Sequence, residues 1–117
     1  MKYENLPIYK SAMNFCVYVE TIVKSFDKYN KYTIGGDLRE SSKQLLFLIH
    51  RANMKEEKEK ELLNLRDKCE DVKMLVQLAK ELQAFKSFKQ FEQSSKLLVE
   101  ICKQSQAWLN HYARVVK

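Results

Sequence analysis

Lysines recur at a regular interval in the second half of this sequence. Lys73 and Lys80 are seven residues apart, and the same interval separates Lys89, Lys96 and Lys103. Seven residues are close to two turns of an α-helix, so each set lies along one helical face. Ammonium groups in such a row can contact phosphates without recognising bases. The alternative is that these lysines only keep an aromatic-rich protein soluble, and the spacing favours neither role.

Residues that could perform catalysis are scarce and badly spaced. Neither His50 nor His111 has a glutamate three residues before it, as the Glu-x-x-His motif of a di-iron bundle needs. Ser41 and Ser42 have no histidine or lysine placed to activate them as nucleophiles. We therefore predict that the protein is not an enzyme and has no catalytic residues, no metal site and no cofactor.

The three cysteines fit neither a zinc site nor a disulfide framework. Cys16, Cys69 and Cys102 are odd in number and far apart, and there is no Cys-x-x-Cys pair. Each of them falls on an apolar helical stripe. Buried free thiols are the expected outcome.

The elements that carry these residues are predicted to be helices. Apolar residues recur at three- and four-residue intervals in four segments, at about 6–30, 37–53, 55–84 and 87–115. Asn5 could cap the first helix, Thr33 or Asp37 the second, and Ser87 with Gln90 forms a capping box for the fourth. Residues 29–36, which include both glycines, are predicted to be an irregular connection.

Short connections make consecutive helices antiparallel neighbours. The predicted fold class is therefore all-α, an up-down-up-down antiparallel four-helix bundle that occupies residues 1–117 as a single domain. Only two glycines and one proline occur in 117 residues, which also favours helices over sheets. No apolar run has the length of a membrane span, so we expect a cytoplasmic protein without membrane association.

Charge and aromatic content bear on possible partners. The net charge of +6 is moderate and raises the prospect of a polyanionic partner. The aromatic residues are more numerous than one small core needs, and surplus aromatics can stack on bases or anchor a protein interface. We favour self-association, with Trp108 and Tyr112 as the predicted oligomer interface.

The order of motifs along the chain matches a known family. The segments that carry the match are Leu6-Pro7-Ile8-Tyr9-Lys10, Tyr32-Thr33-Ile34-Gly35 before Leu38-Arg39, Leu75-Val76-Gln77-Leu78-Ala79-Lys80-Glu81-Leu82, Phe88-Lys89-Gln90-Phe91-Glu92-Gln93-Ser94-Ser95, Val99-Glu100-Ile101-Cys102-Lys103 and Trp108-Leu109. Together they resemble the accessory variability determinant (Avd) of bacterial diversity-generating retroelements, within the wider superfamily of four-helix-bundle or 23S rRNA intervening-sequence proteins.

The resemblance implies a non-enzymatic partner of a reverse transcriptase. Avd proteins form a positively charged pentameric barrel and associate with nucleic acid during copying of a template RNA. Lys80 and Lys103 match positions that are commonly basic in the family, and Trp108 matches its tryptophan. This chain departs from the family pattern at Cys102, where glycine is usual, and at Gln106-Ala107, where a small pair is usual. Val76 and Gln77 also replace residues that are often arginine.

Two functions therefore stay open. The first is a homopentameric adaptor that binds reverse transcriptase and RNA or DNA without sequence specificity. Its predicted nucleic-acid-binding residues are Lys73, Lys80, Lys89, Lys96, Lys103 and Arg114. The alternative is a self-associating four-helix-bundle protein of the 23S rRNA intervening-sequence type, with an unknown protein or RNA partner.

Overall fold

The computed structural model describes residues 6–116, which form five helices. Four of them are long and one is a single short turn. Their bounds are α1 (Pro7–Val23), α2 (Lys28–Tyr32), α3 (Ile34–Met54), α4 (Glu59–Glu81) and α5 (Phe88–Val116). No strand occurs among the described residues. The chain is therefore all-helical, as the apolar periodicity predicts.

The first predicted helix, 6–30, is divided in two. Helix α1 ends at Val23, and α2 begins again at Lys28 because Asp27 caps it. The Asp27 carboxylate accepts hydrogen bonds from the backbone N–H and the side-chain amide of Asn30, both at 3.0 Å. A cap of this kind satisfies an N–H group that has no partner within the helix and fixes the start of a new helix. The predicted cap of α1, Asn5, lies outside the described residues.

The expected irregular connection at 29–36 is wrong, because α2 extends to Tyr32 and α3 already begins at Ile34 and includes both glycines, so only Thr33 of this range lies outside a helix. Thr33 stands at its N-cap position, but its side chain makes no capping hydrogen bond. Gly35 is buried against the end of α1. A Cβ atom at Gly35 would lie 2.8 Å from Val23 Cγ1 and 2.9 Å from the Asn30 carbonyl oxygen. This glycine permits close packing of backbones rather than a turn.

Helix α4 begins four residues later than its predicted start at 55. The residues before it are held by Lys58, whose Nζ donates to the carbonyl oxygens of Ala52 at 2.8 Å and Asn53 at 3.1 Å. These carbonyls belong to the last turn of α3, where a cation also suits the helix dipole. The Lys58 backbone N–H donates to Tyr112 Oη at 3.0 Å, which ties this connection to α5.

Helix α4 ends at Glu81, three residues before its predicted end. Gln83 adopts a left-handed backbone with φ of 58°. Its N–H donates to the Lys80 carbonyl, and the Ala84 N–H donates to the Ala79 carbonyl, both at 3.0 Å. This is the hydrogen-bond pattern that commonly closes a helix C-terminus.

The predicted capping box at the start of α5 is present in altered form. The Gln90 N–H donates to Ser87 Oγ at 3.3 Å, and Gln90 Oε1 accepts from the Lys86 N–H at 2.9 Å. The side chain of Gln90 therefore reaches one residue further back than in the standard motif.

The four long helices enclose one apolar core. Helix α1 packs on α3 and α5, α4 packs on α3 and α5, and α2 packs on α3. Hydrogen bonds join Ser11 near the start of α1 to Gln104 late in α5, and Ser25 just after α1 to Gln90 early in α5. The fully buried large side chains include Phe15, Leu38, Leu45, Ile49, Leu62, Leu65, Leu98 and Ile101. The contacts are those of a helical bundle.

None of the helices within residues 6–116 combines the length and the apolar character that a membrane crossing needs.

Candidate nucleic-acid interface

Basic side chains meet in the groove between α4 and α5, which we call the α4/α5 groove. Arg66 and Lys73 of α4 and Lys103 of α5 line a single cavity of about 270 Å³ in this groove. Arg66, Lys73 and Lys80 are seven residues apart, so they follow one face of α4. The two predicted lysine rows therefore come together at Lys73 and Lys103.

The basic groups of the groove differ in how far they are neutralised. Arg66 contacts Asp67 at 3.3 Å, and Lys73 contacts Glu70 at 3.1 Å. The hydrogen bond to Glu70 raises the pKa of Lys73 above its usual range. Within residues 6–116, Lys80 and Lys103 form no ion pair. These two ammonium groups are therefore the ones most available to a phosphate.

An aromatic cluster adjoins Lys80. The Lys80 Nζ lies 4.8 Å from the centre of the Phe91 ring, within the range of a cation–π contact. Phe91 packs against Phe88 at a centroid distance of 5.7 Å, and the Phe88 side chain is 65 % exposed. Exposed aromatic rings beside cations are the elements that single-stranded nucleic acids stack on.

The remaining lysines of α5 face away from the core. Lys89 and Lys96 are exposed, and they lie roughly half a turn around the helix from the buried Ser94 and Leu98. Glu92 and Glu100 fall between them and Lys103 on the same outer surface. Positive and negative side chains therefore alternate along this surface of α5. Its positive potential is weaker than that of a row of lysines alone.

The predicted residues near the end of α5 are separate from the groove cluster. Arg114 is exposed in the last turn of α5. Trp108 is partly buried and packs against the core, and it lines an apolar cavity of about 320 Å³ with Pro7, Ala107 and His111. Tyr112 is also partly buried, with its hydroxyl bonded to the Lys58 N–H. Both aromatic residues therefore have contacts within the chain.

Sequence reasoning missed two members of the groove. Arg66 continues the seven-residue interval of Lys73 and Lys80 toward the start of α4, so the spacing alone could have identified it. Phe91 was assigned only to the apolar stripe of its helix. Its contact with Lys80 depends on how α4 and α5 pack, and no signal within either segment indicates it.

A second polar region lies at the opposite end of α4. Lys55, Glu61, Asn64 and Tyr112 line a cavity of about 730 Å³. Glu61 is buried and pairs with Lys55 at 2.9 Å. The hydrogen bond from Lys55 holds the pKa of the Glu61 carboxyl below its usual range. Across residues 6–116, no group of three or more His, Cys, Asp or Glu side chains is arranged to hold a metal ion.

Comparison with known proteins identifies a family. A search of the curated proteins found no match to the chain. The sequence profile of the family described as bAvd-like matches residues 6–112, which include all four long helices apart from the last residues of α5. This agrees with the Avd resemblance carried by the sequence motifs. The chain therefore belongs to the bAvd-like family.

Proposed function

We propose that this protein is a non-enzymatic accessory protein that binds a reverse transcriptase and the template nucleic acid of a diversity-generating retroelement. The observation that carries the proposal is the bAvd-like match over nearly the whole chain. The basic α4/α5 groove supports the part of the proposal that concerns nucleic-acid binding. The protein would act in the cytoplasm, where the transcript and the reverse transcriptase are made.

The proposed architecture is an up-down-up-down bundle that assembles into a homopentamer. Antiparallel pairing is supported by the hydrogen bonds that join the start of α1 to the end of α5 and the end of α1 to the start of α5. Short connections between the long helices support the same topology. Assembly is supported by exposed apolar side chains on α4, where Met74 is 71 % exposed and Leu78 is 47 % exposed.

At the groove, Lys80 and Lys103 would neutralise phosphates, and Arg66 and Lys73 would join them after exchanging their carboxylate partners. Phe91 and Phe88 lie where an unpaired base could stack beside Lys80. Neither a row of cations nor a stack of rings distinguishes one base from another. The binding would therefore be strongly dependent on salt and tolerant of sequence.

Fluorescence anisotropy with a labelled single-stranded RNA tests the nucleic-acid half. The logarithm of the affinity should fall linearly with the logarithm of the salt concentration, with a slope of about −0.7 per phosphate contact. The double variant Lys80→Glu/Lys103→Glu should weaken binding at least about tenfold and make the slope shallower by roughly two contacts. The matched control, Lys24→Glu/Lys43→Glu, has the same change in net charge on two exposed positions, one directly after α1 and one within α3.

Equal weakening by both double variants would show that only the net charge matters and would remove the groove from the proposal. Binding that is absent, or that does not change with salt, would remove the nucleic-acid half altogether.

Co-purification tests the reverse transcriptase half. A reverse transcriptase of a diversity-generating retroelement is co-expressed with a tagged form of the chain, and nuclease treatment separates direct contact from bridging by RNA. A complex that survives the nuclease supports the proposal. No complex before treatment would contradict it, and it would favour the intervening-sequence alternative.

A further inference from the structure

Two of the three cysteines meet at the seam between α4 and α5. Cys69 of α4 is 1 % exposed, and Cys102 of α5 is partly buried. Both side chains line one cavity of the α4/α5 groove, and each thiol changes the pKa of the other. Cys16 has a different surrounding, because its Sγ donates to the Ser42 carbonyl oxygen at 3.1 Å on the opposite side of the bundle.

The two thiols are chemically unequal. The hydrogen bond from Cys69 and the nearby Lys73 ammonium hold the pKa of Cys102 below its usual range. The same hydrogen bond, together with burial, raises the pKa of Cys69. Of the two thiols, Cys102 therefore loses its proton more readily. A thiolate is the nucleophilic form of cysteine.

Cys102, the partly exposed member of the pair, also reaches solvent through the groove. Cys69 and Cys102 both line the cavity of about 270 Å³ in the α4/α5 groove, beside Arg66, Lys73 and Lys103. These cations favour a small reagent that carries negative charge. They also distinguish this site from Cys16, whose thiol has a pKa raised mainly by burial.

We propose that Cys102 and Cys69 form a redox modification site, at which a small anionic disulfide oxidises the pair to a disulfide bond between α4 and α5. The proposal does not depend on the proposed function. Cys102 acts as the attacking thiol, and Cys69 acts as the resolving thiol.

The chemistry proceeds in two balanced steps. Cys102 gives its proton to water, and the resulting thiolate forms a bond to one sulfur of the small disulfide and displaces the other half as a thiolate, which takes a proton from water. Cys69 then gives its proton to water and attacks Cys102 Sγ, which releases the second half as a thiolate that is protonated in turn. The two cysteines lose two electrons and two protons, and the small disulfide is reduced to two thiols.

The test uses the full chain and oxidised glutathione near neutral pH, with free thiols blocked at each time point. Intact mass and peptide mapping should show a loss of two hydrogens and a cross-link between Cys69 and Cys102. Cys69→Ala should stop at a glutathione adduct on Cys102. Cys102→Ala should leave the remaining thiols unmodified, and Cys16→Ala should behave as the unaltered chain.

Lys73 provides a second readout. Lys73→Met should slow the alkylation of Cys102 by about three- to tenfold because less thiolate is present. Lys43→Met, near Cys16, should leave that rate unchanged. If Cys69→Ala loses helicity, Cys69→Val supplies an apolar replacement of similar volume.

Three outcomes would overturn the proposal. They are a first adduct on Cys16, a glutathione adduct that persists on Cys102 in the unaltered chain, and alkylation of Cys102 no faster than that of Cys16.

Discussion

At Gly35 the missing side chain determines how closely α3 can approach α1. The backbone there is helical, so glycine is not needed for its conformation. Gly36, the next residue, has no neighbouring atom within 4 Å of a Cβ. The two glycines therefore have different roles, although the sequence presents them as an identical pair.

We predict opposite effects of alanine at these two positions. Gly35→Ala should lower the free energy of unfolding by about 1–3 kcal/mol, because the new methyl group meets Val23 and the Asn30 backbone. Gly36→Ala should raise it by about 0.5–1 kcal/mol, because alanine restricts the unfolded chain and has room in the helix. Urea denaturation measures both. Equal effects of the two substitutions would contradict the close approach at Gly35.

Glu61 makes the stability of the folded bundle depend on pH. Its pKa is lower in the folded chain than in the unfolded chain, because Lys55 donates to the carboxylate. Ionised Glu61 therefore stabilises the fold above the ordinary glutamate pKa of about 4.3, and this contribution is lost as the pH falls through the lowered value.

We expect Glu61→Gln to be less stable than the unaltered chain at neutral pH, with a difference that shrinks as the solution is acidified below about pH 4.3. Urea denaturation across this range measures the difference. The control, Glu57→Gln on an exposed position before α4, should stay within about 0.5 kcal/mol of the unaltered chain throughout. A difference for Glu61→Gln that is independent of pH would rule out the ion pair as its cause.

At the scale of elements, the ends of helices are where local sequence and packing compete. The apolar stripe of α4 continues through Leu82 and Ala84, yet the helix stops at Glu81. Gln83 adopts an unfavourable left-handed backbone conformation, and the chain then changes direction so that Ala84 is buried in the core. The burial of Ala84 and the aromatic contact of Phe85 with Phe26, at 5.6 Å, accompany this early end.

Glycine at position 83 should stabilise the protein. Gln83→Gly removes the cost of a side chain at positive φ, which is about 1–2 kcal/mol, although it also makes the unfolded chain more flexible. We expect a net gain of roughly 0.5 kcal/mol in the free energy of unfolding. In the matched control, Gln93→Gly inside α5, the free energy of unfolding should fall by about 1 kcal/mol. A loss at both positions would argue against the left-handed turn.

For the whole molecule, two of the apolar surfaces that the contacts of one chain leave exposed bear on assembly. Met74 and Leu78 of α4 form an exposed ridge together with Leu82, the residue that follows this helix. The cavity beside Trp108 is lined mainly by apolar atoms and opens at the end of the bundle where α1 starts. Surfaces of this kind are typical of protein interfaces, and the proposed pentamer would use them.

A charge placed at the Trp108 cavity should disrupt that assembly. Ala107 is exposed and lines the cavity, so Ala107→Glu leaves the core intact. Light scattering should give a mass of five chains for the unaltered protein and a smaller mass for Ala107→Glu. Gln93→Glu, exposed elsewhere on α5, should retain the larger mass. A monomeric unaltered chain would contradict the pentamer, and an unchanged Ala107→Glu assembly would move the interface away from Trp108.

Local sequence patterns predict the helical class, the approximate positions of the four long helices and the seven-residue lysine intervals. These are local properties, because an amphipathic stripe and a Ser87 cap act within one or two turns of a helix. The sequence also carries the family motifs that the bAvd-like match confirms.

Which stripes meet depends on how the helices pack. Packing brings Arg66, Lys73 and Lys103 to one groove and places Cys69 beside Cys102. The physical reason is that periodicity fixes a face on each helix, whereas the rotation and approach of two helices depend on side chains of both. Gly35 illustrates this: its role is set by Val23 of another helix, and no pattern around position 35 contains that residue.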